Sequence, residues 1–453
     1  MSAPIRAHVR VLTFGPPQGP LVALSDRLAE CSVHHRHVGG IEDLLDCRDG
    51  RFVDVLLIDG EFEPALTFYR QIRGMPKVRD LPIALVGQDE VDMLAGATLA
   101  HGADGVFRMP ASVEAIGARI NLLAGLGQLR LELRRRREAL TAFQAADAQP
   151  HKSRRGPGER DLAAILVIGE AAHTQWDVRT ALEGWTKIDY AETLVQACSY
   201  AQVRRFDLAI VVGDCPTAEL HDVPAALARL DARIDAPLLC VERRSGSIEG
   251  ASVPPAGFVD VLPSGGRPNA IRLVLLAWFR HQQLRNHLRS IAPSPPDVPI
   301  KDPVTGLFTQ SFFLHLVGCH HTACPDEPGA LAVLAVANFP MITDQHGHAE
   351  GERIMRRLAH RLERIIRSED LLARGGPAAL ALLIRQVDAV GANFVCDRLA
   401  RALALEADLI AREGLLKPVI AVETAPLAID DDSRALLDRL MARAGRSVSR
   451  QTA

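Results

Sequence analysis

An arginine and an aspartate three positions apart, Arg367-Ser-Glu-Asp370, are the residues of this chain best suited to read a base. A guanidinium donates two hydrogen bonds to guanine O6 and N7 and a carboxylate accepts from the guanine N–H edge, so the two together select guanine over adenine. Ile354, Leu358, Leu362 and Ile365 recur at helical spacing, which predicts a helix that ends near Arg367 and brings both residues onto one side. The plain alternative is a surface ion pair with no ligand. Directly downstream lies Arg374-Gly-Gly-Pro-Ala-Ala-Leu380, a glycine turn without an acid. Phosphoryl chemistry on a nucleoside triphosphate needs Mg²⁺, and Mg²⁺ needs hard oxygen ligands that alanine does not supply.

Three further places carry chemistry-bearing residues. Cys319-His320-His321-Thr-Ala-Cys324, with His315, His346 and His348 nearby in sequence, has the donor types of a four-ligand zinc site. The usual pattern of two spaced ligand pairs is missing, which favours Cys and His packed without a metal. His34-His35-Arg36-His37 is a weaker cluster of the same kind. Asp59 ends the run Asp54-Val-Leu-Leu-Ile-Asp59 as a carboxylate at a strand end, with Glu61 as the nearest second carboxylate. No phosphate-cradling glycine loop and no nucleophilic triad is visible.

The elements that must hold these residues follow from hydrophobic pattern. Short β-branched runs alternate with amphipathic helices twice: Val9 to Phe14, Val53 to Ile58, Ile83 to Val86 and Gly105 to Phe107, then Ile165 to Ile168, Leu208 to Val212, Leu238 to Val241 and Val259 to Leu262. That alternation predicts an α/β chain with two tandem parallel, doubly wound sheets. The polar stretch 148–160 and the proline segment 293–299 separate three expected domains, residues 1–147, 161–292 and 300–453. Helices over Ser112 to Ala146 and Asn269 to Ile291 outrun what either sheet needs, and are long enough to pair with a second copy in a homodimer. Within the first, Arg134 to Arg137 reads as a solvated basic face.

Composition excludes several classes. The 453 residues carry a net charge of −3, which gives no bulk electrostatic case for DNA or an anionic membrane, and 48% hydrophobic content suffices for packed cores. Eight cysteines lie scattered, as in a reducing, cytoplasmic compartment. The longest apolar run, Leu273 to Phe279, is too short for a transmembrane segment, and Met-Ser-Ala-Pro-Ile-Arg is no signal sequence.

The third segment resembles the GGDEF domain of the diguanylate cyclases. Asp302-Pro-Val-Thr-Gly-Leu307 matches the opening turn of that family, Ile342-Thr-Asp-Gln-His-Gly-His348 its guanine loop, Arg367 to Asp370 its Arg-x-x-Asp pair, and Gly376-Pro-Ala-Ala-Leu380 its signature hairpin. The likeness spans roughly residues 300 to 446 and weakens after about 405. It implies metal-binding acids where Ala335, Ala378 and Ala379 stand, a guanine-reading Asn where Thr343 stands, and an assisting Asp replaced by Glu352. Met441-Ala-Arg-Ala-Gly-Arg446 is a shortened form of its phosphate-contacting motif. It also implies that Arg367 and Asp370 form an inhibitory cyclic di-GMP site, completed by Arg398 in Val395-Cys-Asp-Arg-Leu-Ala-Arg401. Arg356, Arg357 and Arg364 suit phosphate contacts or a solvated face. The resulting expectation is a chain with no catalytic residues, no metal and no cofactor, that is not an enzyme and takes cyclic di-GMP as a ligand. An active cyclase would need acids from outside the hairpin.

Each of the two sheets resembles a response-regulator receiver domain with its chemistry eroded. The resemblance makes Asp59 a candidate phospho-acceptor, with Glu61 as a compensating ligand, and an inherited acid at a strand end is the plainer reading. Around it the acid pair is replaced by Gly15-Pro16, the hydroxyl by Gly87 and the lysine by Met109; in the second half Val212 takes the acceptor position, with Gly169-Glu170 at the acids and Ser264 at the lysine. Two such domains before a degenerate GGDEF domain resemble the PleD-type response regulators. With its acids missing, the chain is similar to a catalytically silent relative of those regulators, which implies protein partners at a bacterial cell pole and help in delivering a cell-cycle transcription regulator to an ATP-dependent protease.

Overall fold

The computed structural model describes residues 9–447 except 17–19, 31–32, 51–52, 61–64, 76–77, 79, 88–102, 110–112, 148–163, 170–173, 184–186, 205, 213–221, 225, 228–236, 243–257, 264–267, 290–299, 326 and 429–430. Residues 1–131 with 157–288 form one compact unit, and 132–156 with 289–453 a second.

The first unit holds two parallel sheets. One takes β1 (Arg10–Phe14), β2 (His34–His37), β3 (Val55–Asp59), β4 (Ile83–Gly87) and β5 (Gly105–Arg108) in the order β2-β1-β3-β4-β5. The other takes β6 (Ala164–Ile168), β7 (Lys187–Ala191), β8 (Leu208–Val212), β9 (Leu238–Glu242) and β10 (Asp260–Pro263) in the order β10-β9-β8-β6-β7. Counted within each sheet, both orders are 2-1-3-4-5, the flavodoxin-like doubly wound order. Val55 to Asp59 and Leu208 to Val212 are buried throughout, as central strands covered on both faces require. The edge strands β2 and β7 escape the hydrophobic pattern: all four residues of β2 are exposed, so its histidines form a strand edge.

Helices α1 (Pro20–Glu30), α2 (Ile41–Gly50), α3 (Ala65–Gly74), α5 (Thr174–Ala181) and α6 (Leu194–Val203) accompany these sheets. Helix α4 (Val113–Asp147) starts against the first sheet, where Ile116, Ile120, Leu123 and Leu126 are buried. Helix α7 (Pro268–Arg289) is apolar on two sides. Ile271, Leu275 and Phe279 enter the core of the second sheet, whereas Leu273 and Ala277 enter the two cores of the first.

Asp104, fully buried before β5, ties these parts together. Arg73 Nη2 donates to its Oδ2 at 2.8 Å, Arg280 Nη1 of α7 reaches its Oδ1 at 3.3 Å, and Arg130 of α4 pairs with both oxygens. Burial pushes the Asp104 carboxyl up, but Arg130, then Arg73 and Arg280, overcome that effect and hold it below the usual carboxylate range.

The second unit is built on an antiparallel sheet of order β12-β13-β11-β14, with β11 (Gly329–Val336), β12 (Leu371–Gly376), β13 (Ala379–Arg385) and β14 (Ile420–Leu427). Period-two alternation along β11 feeds two cores. Ala330, Ala332, Leu334 and Val336 face the core shared with α9 (Phe339–His346), α10 (His348–Ile365) and α11 (Ala389–Arg412). Leu331 and Val333 face the core shared with α8 (Gln310–Ala323) and α12 (Ser433–Ser447), where Phe312, Phe313, Leu437 and Leu440 are buried. Ala139 of α4 is buried in that second core, with Leu140 and Phe143 packed against it. Among the described residues no helix is long and apolar enough to cross a membrane.

Candidate functional site

The sheet, the α9–α10 corner and the turn before α8 enclose a pocket of about 320 Å³, lined by Asp302, Val304, Phe339, His348, Glu352, Arg374, Gly376 and Pro377. Gly347, at φ 87°, makes the corner, since it ends α9 and begins α10 in a backbone region that favours glycine. Gly351 keeps the two helices close: a Cβ there would lie 2.8 Å from Thr343 Cγ2 and 3.0 Å from the Phe339 ring. Thr343 spends its hydroxyl on its own helix, donating to Pro340 O at 2.8 Å.

Arg374 folds back over the hairpin. Its Nε donates to Gly376 O at 2.6 Å and its Nη2 to Pro377 O, while Nη1 is buried with no hydrogen-bond partner among the described residues. Burial pushes this guanidinium down, against the pull of Asp302 and Glu352. Asp302 Oδ1 accepts from Thr305 N at 2.8 Å and Thr305 Oγ1 at 2.6 Å, an Asx turn that fixes the carboxylate at the pocket edge. Glu352 sits 3.8 Å from His348.

The three alanines meet at one corner beside this pocket. Ala335 lies directly opposite Ala379 in the β11–β13 ladder, and Val336 N donates to Ala378 O at 2.8 Å. Their side chains offer a divalent cation no oxygen, so that corner does not fit Mg²⁺. The carboxylates that line the pocket, Asp302 and Glu352, come from outside the hairpin.

A second feature lies at the other end of β12. Helix α10 closes at Ile365, so Arg367 to Asp370 form a turn and not a helix end. Asp370 N donates to Arg367 O at 3.2 Å, and the Asp370 carboxylate accepts from Arg367 N at 3.2 Å and Arg385 N at 3.1 Å. Asp370 is thus buried and meets Arg367 through the backbone. Burial pushes its carboxyl up to about 6, although both N–H groups and the Arg367 charge pull the other way. The Arg367 side chain is exposed and makes no hydrogen bond or ion pair among the described residues; the same holds for Arg398 on the solvent side of α11. Arg356 donates to Val304 O at 2.9 Å, and Arg357 pairs with Glu406 and Glu413.

The turn is clamped from beneath by α4. Arg136 Nη2 donates to Ser368 O at 2.9 Å, to Asp370 O at 3.2 Å and, more weakly, to Glu369 O at 3.4 Å. Its Nε is held by Glu132 Oε1 at 2.6 Å, and Glu132 Oε2 pairs with Arg385. Arg385 in turn forks onto Glu327 at 3.1 and 3.3 Å. Burial raises the Glu132 carboxyl, and Arg136 and Arg385 more than reverse it, so the group is held below its usual range. The basic run Arg134 to Arg137 therefore corrects the expectation of a wholly solvated face: Arg136 is only 4% exposed. The sole signal in sequence is its i,i+4 spacing from Glu132.

The cysteine and histidine cluster divides on α8. Cys319 Sγ lies 3.6 Å from His315 Nε2, which also contacts Ala139 O at 3.0 Å. His320, Cys324 and Glu327 place donor atoms within 4.8 Å of one another. Glu327 is already engaged by the Arg385 cation, and burial pushes His320 down to about 4.

Asp59 ends β3, buried, and the Cβ that any other residue would carry at Gly15 would fall 2.5 Å from its own Cβ. The second sheet repeats the packing with Gly169 against Val212. Met109 is buried beside the first sheet; Glu61, Glu170 and Ser264 lie outside the described residues.

Residues 300–444 match the family described as "Diguanylate cyclase, GGDEF domain". The probable diguanylate cyclase DgcT of Escherichia coli (strain K12) is 22% identical over 113 residues, covering 25% of this chain and 25% of that protein. The probable diguanylate cyclase DgcE of the same strain is 32% identical over 74 residues, covering 16% of this chain and 7% of that protein. The chain thus spans a quarter or less of the length of these two relatives. Among solved structures, the GGDEF domain of DgcB from Caulobacter crescentus in complex with c-di-GMP is 18% identical, with 34% of this chain and 91% of that chain covered and a TM-score of 0.30. The expectation of a chain that is not an enzyme, drawn from the three alanines, is corrected by the family match and by these relatives, which point to a diguanylate cyclase. Its physical weakness is that it counted only the positions of Ala335, Ala378 and Ala379, whereas Asp302 and Glu352 line the pocket beside them. Residues 300–444 thus carry a GGDEF domain, similar to those of two Escherichia coli proteins named as probable diguanylate cyclases.

Proposed function

We propose that this chain is a cyclic di-GMP signalling protein whose GGDEF domain binds the dinucleotide at the turn Arg367 to Asp370, with Arg398 as a further donor. One observation carries the reading: a guanidinium without internal partners stands on a turn that is pinned on its buried side by Asp370 and Arg136. A preorganised donor spends less of its binding energy on being ordered. Arg367 would meet guanine O6 and N7. Asp370 holds the turn and, with lone pairs to spare, accepts from the guanine N–H edge. Titration calorimetry of the full chain with cyclic di-GMP tests this. Arg367→Ala should weaken binding by about ten- to a hundredfold, the worth of one bidentate arginine–guanine contact. Wild-type affinity in that variant would move the ligand elsewhere.

A second reading, synthesis of cyclic di-GMP from GTP, is favoured by the pocket, where Asp302, Glu352 and the unpartnered Arg374 Nη1 converge beside the hairpin. Divalent cations, if used, would be held by those two carboxylates. Product formation from GTP by the full chain, lost in Glu352→Gln, is its test. Upstream, the two sheets of 2-1-3-4-5 order suit receiver-like input domains, with Asp59 as the one candidate acceptor. The PleD-type resemblance extends the proposal to an adaptor surface for regulated proteolysis at the cell pole.

A further inference from the structure

We propose that Arg136 is the positioning residue of the Arg367 turn, so that affinity for cyclic di-GMP depends on where α4 sits along the GGDEF domain. The inference rests on the ligand reading above and adds to it a residue 231 positions upstream of the one that meets the ligand. Three observations support it. One Arg136 nitrogen serves the carbonyls of Ser368, Glu369 and Asp370, which are the inner side of the turn that carries Arg367. The clamp is itself fixed, because Glu132 grips Arg136 and, with its other oxygen, Arg385. Arg385 closes the loop, since its backbone N–H donates to the Asp370 carboxylate that holds Arg367 N. Helix, turn and hairpin are thereby joined by one buried circuit of charge-assisted bonds, and a shift of α4 by one residue, about 1.5 Å, would break the Arg136 contacts.

A turn without the clamp must be ordered when the ligand arrives. Arg136→Ala in the full chain should therefore weaken cyclic di-GMP binding by about tenfold, the usual size of such an ordering cost. Arg136→Lys, which reaches fewer carbonyls, should fall between the two. On an Arg367→Ala background the same change should add little, because the donor it positions is gone. A second readout is free of the ligand: hydrogen exchange of the 367–370 amides should quicken in Arg136→Ala while the 331–336 amides of β11 keep their protection. If wild type and Arg136→Ala bind alike, the positioning role is overturned. If wild type takes no cyclic di-GMP, the ligand reading is what fails, and unchanged exchange at 367–370 would overturn the clamp as well.

Discussion

Asp370→Asn isolates a carboxyl whose ionisation is strongly perturbed by burial. The carboxyl is pushed up to about 6, from 3.8 in an unperturbed aspartate, mainly by burial. A folded pKa above the unfolded value means that the native state binds the proton more tightly, so stability rises as pH falls through 6 and levels off below 3.8. The difference of about two pH units corresponds to about 3 kcal/mol lost between pH 4 and pH 7. Asparagine does not titrate. It keeps one oxygen for Arg385 N or Arg367 N and turns an amide donor toward the other, a mismatch that costs about 1–3 kcal/mol at every pH. The stability difference between wild type and variant should therefore shift by about 3 kcal/mol from pH 4 to pH 7, to the relative advantage of the variant at pH 7. Hydrogen exchange of peptides covering Leu371 to Arg385, corrected for intrinsic rates, reads that difference locally. Other carboxylates titrate in both proteins and cancel. A difference that stays flat with pH would refute the buried-carboxylate argument.

Other perturbations test other parts. Asp104→Asn strands Arg73, Arg130 and Arg280 around a neutral side chain and should cost about 3–5 kcal/mol, seen as an earlier thermal transition in the fluorescence of Trp278. Because the Asp104 pKa is depressed, its contribution is present above the unfolded value of 3.8 and is lost only as pH falls through the lower folded value. Ala335→Asp with Ala379→Glu sets two carboxylates opposite each other across the β11–β13 ladder. Like charges there should destabilise by up to about 1 kcal/mol, and millimolar Mg²⁺ should restore the melting temperature. No response to Mg²⁺ would show that the corner cannot form a cation site even with acids supplied. Gly351→Ala should cost about 1–3 kcal/mol by forcing Thr343 and Phe339 apart, measured by thermal melting.

How far the sequence disclosed this architecture depended on burial. Central strands such as Val55 to Asp59 and Leu208 to Val212 were legible because strands covered on both faces must be short apolar runs. The edges His34 to His37 and Lys187 to Ala191 were not, because an exposed edge leaves no periodic signal. The nearness of Arg367 and Asp370 followed from their spacing, but a turn and a helix end share that spacing, and only the structure shows both Asp370 oxygens facing backbone N–H groups. Arg136 was hidden within four consecutive arginines. Its burial is decided by carbonyls that arrive 232 or more residues later, and no local pattern encodes that meeting. The alanines were correctly placed together, yet their chemistry says little about acids that reach the pocket from Asp302 and Glu352.

Helix α7 bears on the history of the chain. The two parallel sheets repeat one strand order and one glycine contact, Gly15 on Asp59 and Gly169 on Val212, the pattern that gene duplication leaves behind. Their independence has since been lost. Leu273, Ala277 and Arg280 of the second copy now complete the cores and the buried Asp104 cluster of the first. A recombination event that exchanged the first copy alone for a homologous domain would leave a helix side without its cavity and a carboxylate short of one arginine. Substitutions on α7 therefore bear on both copies at once.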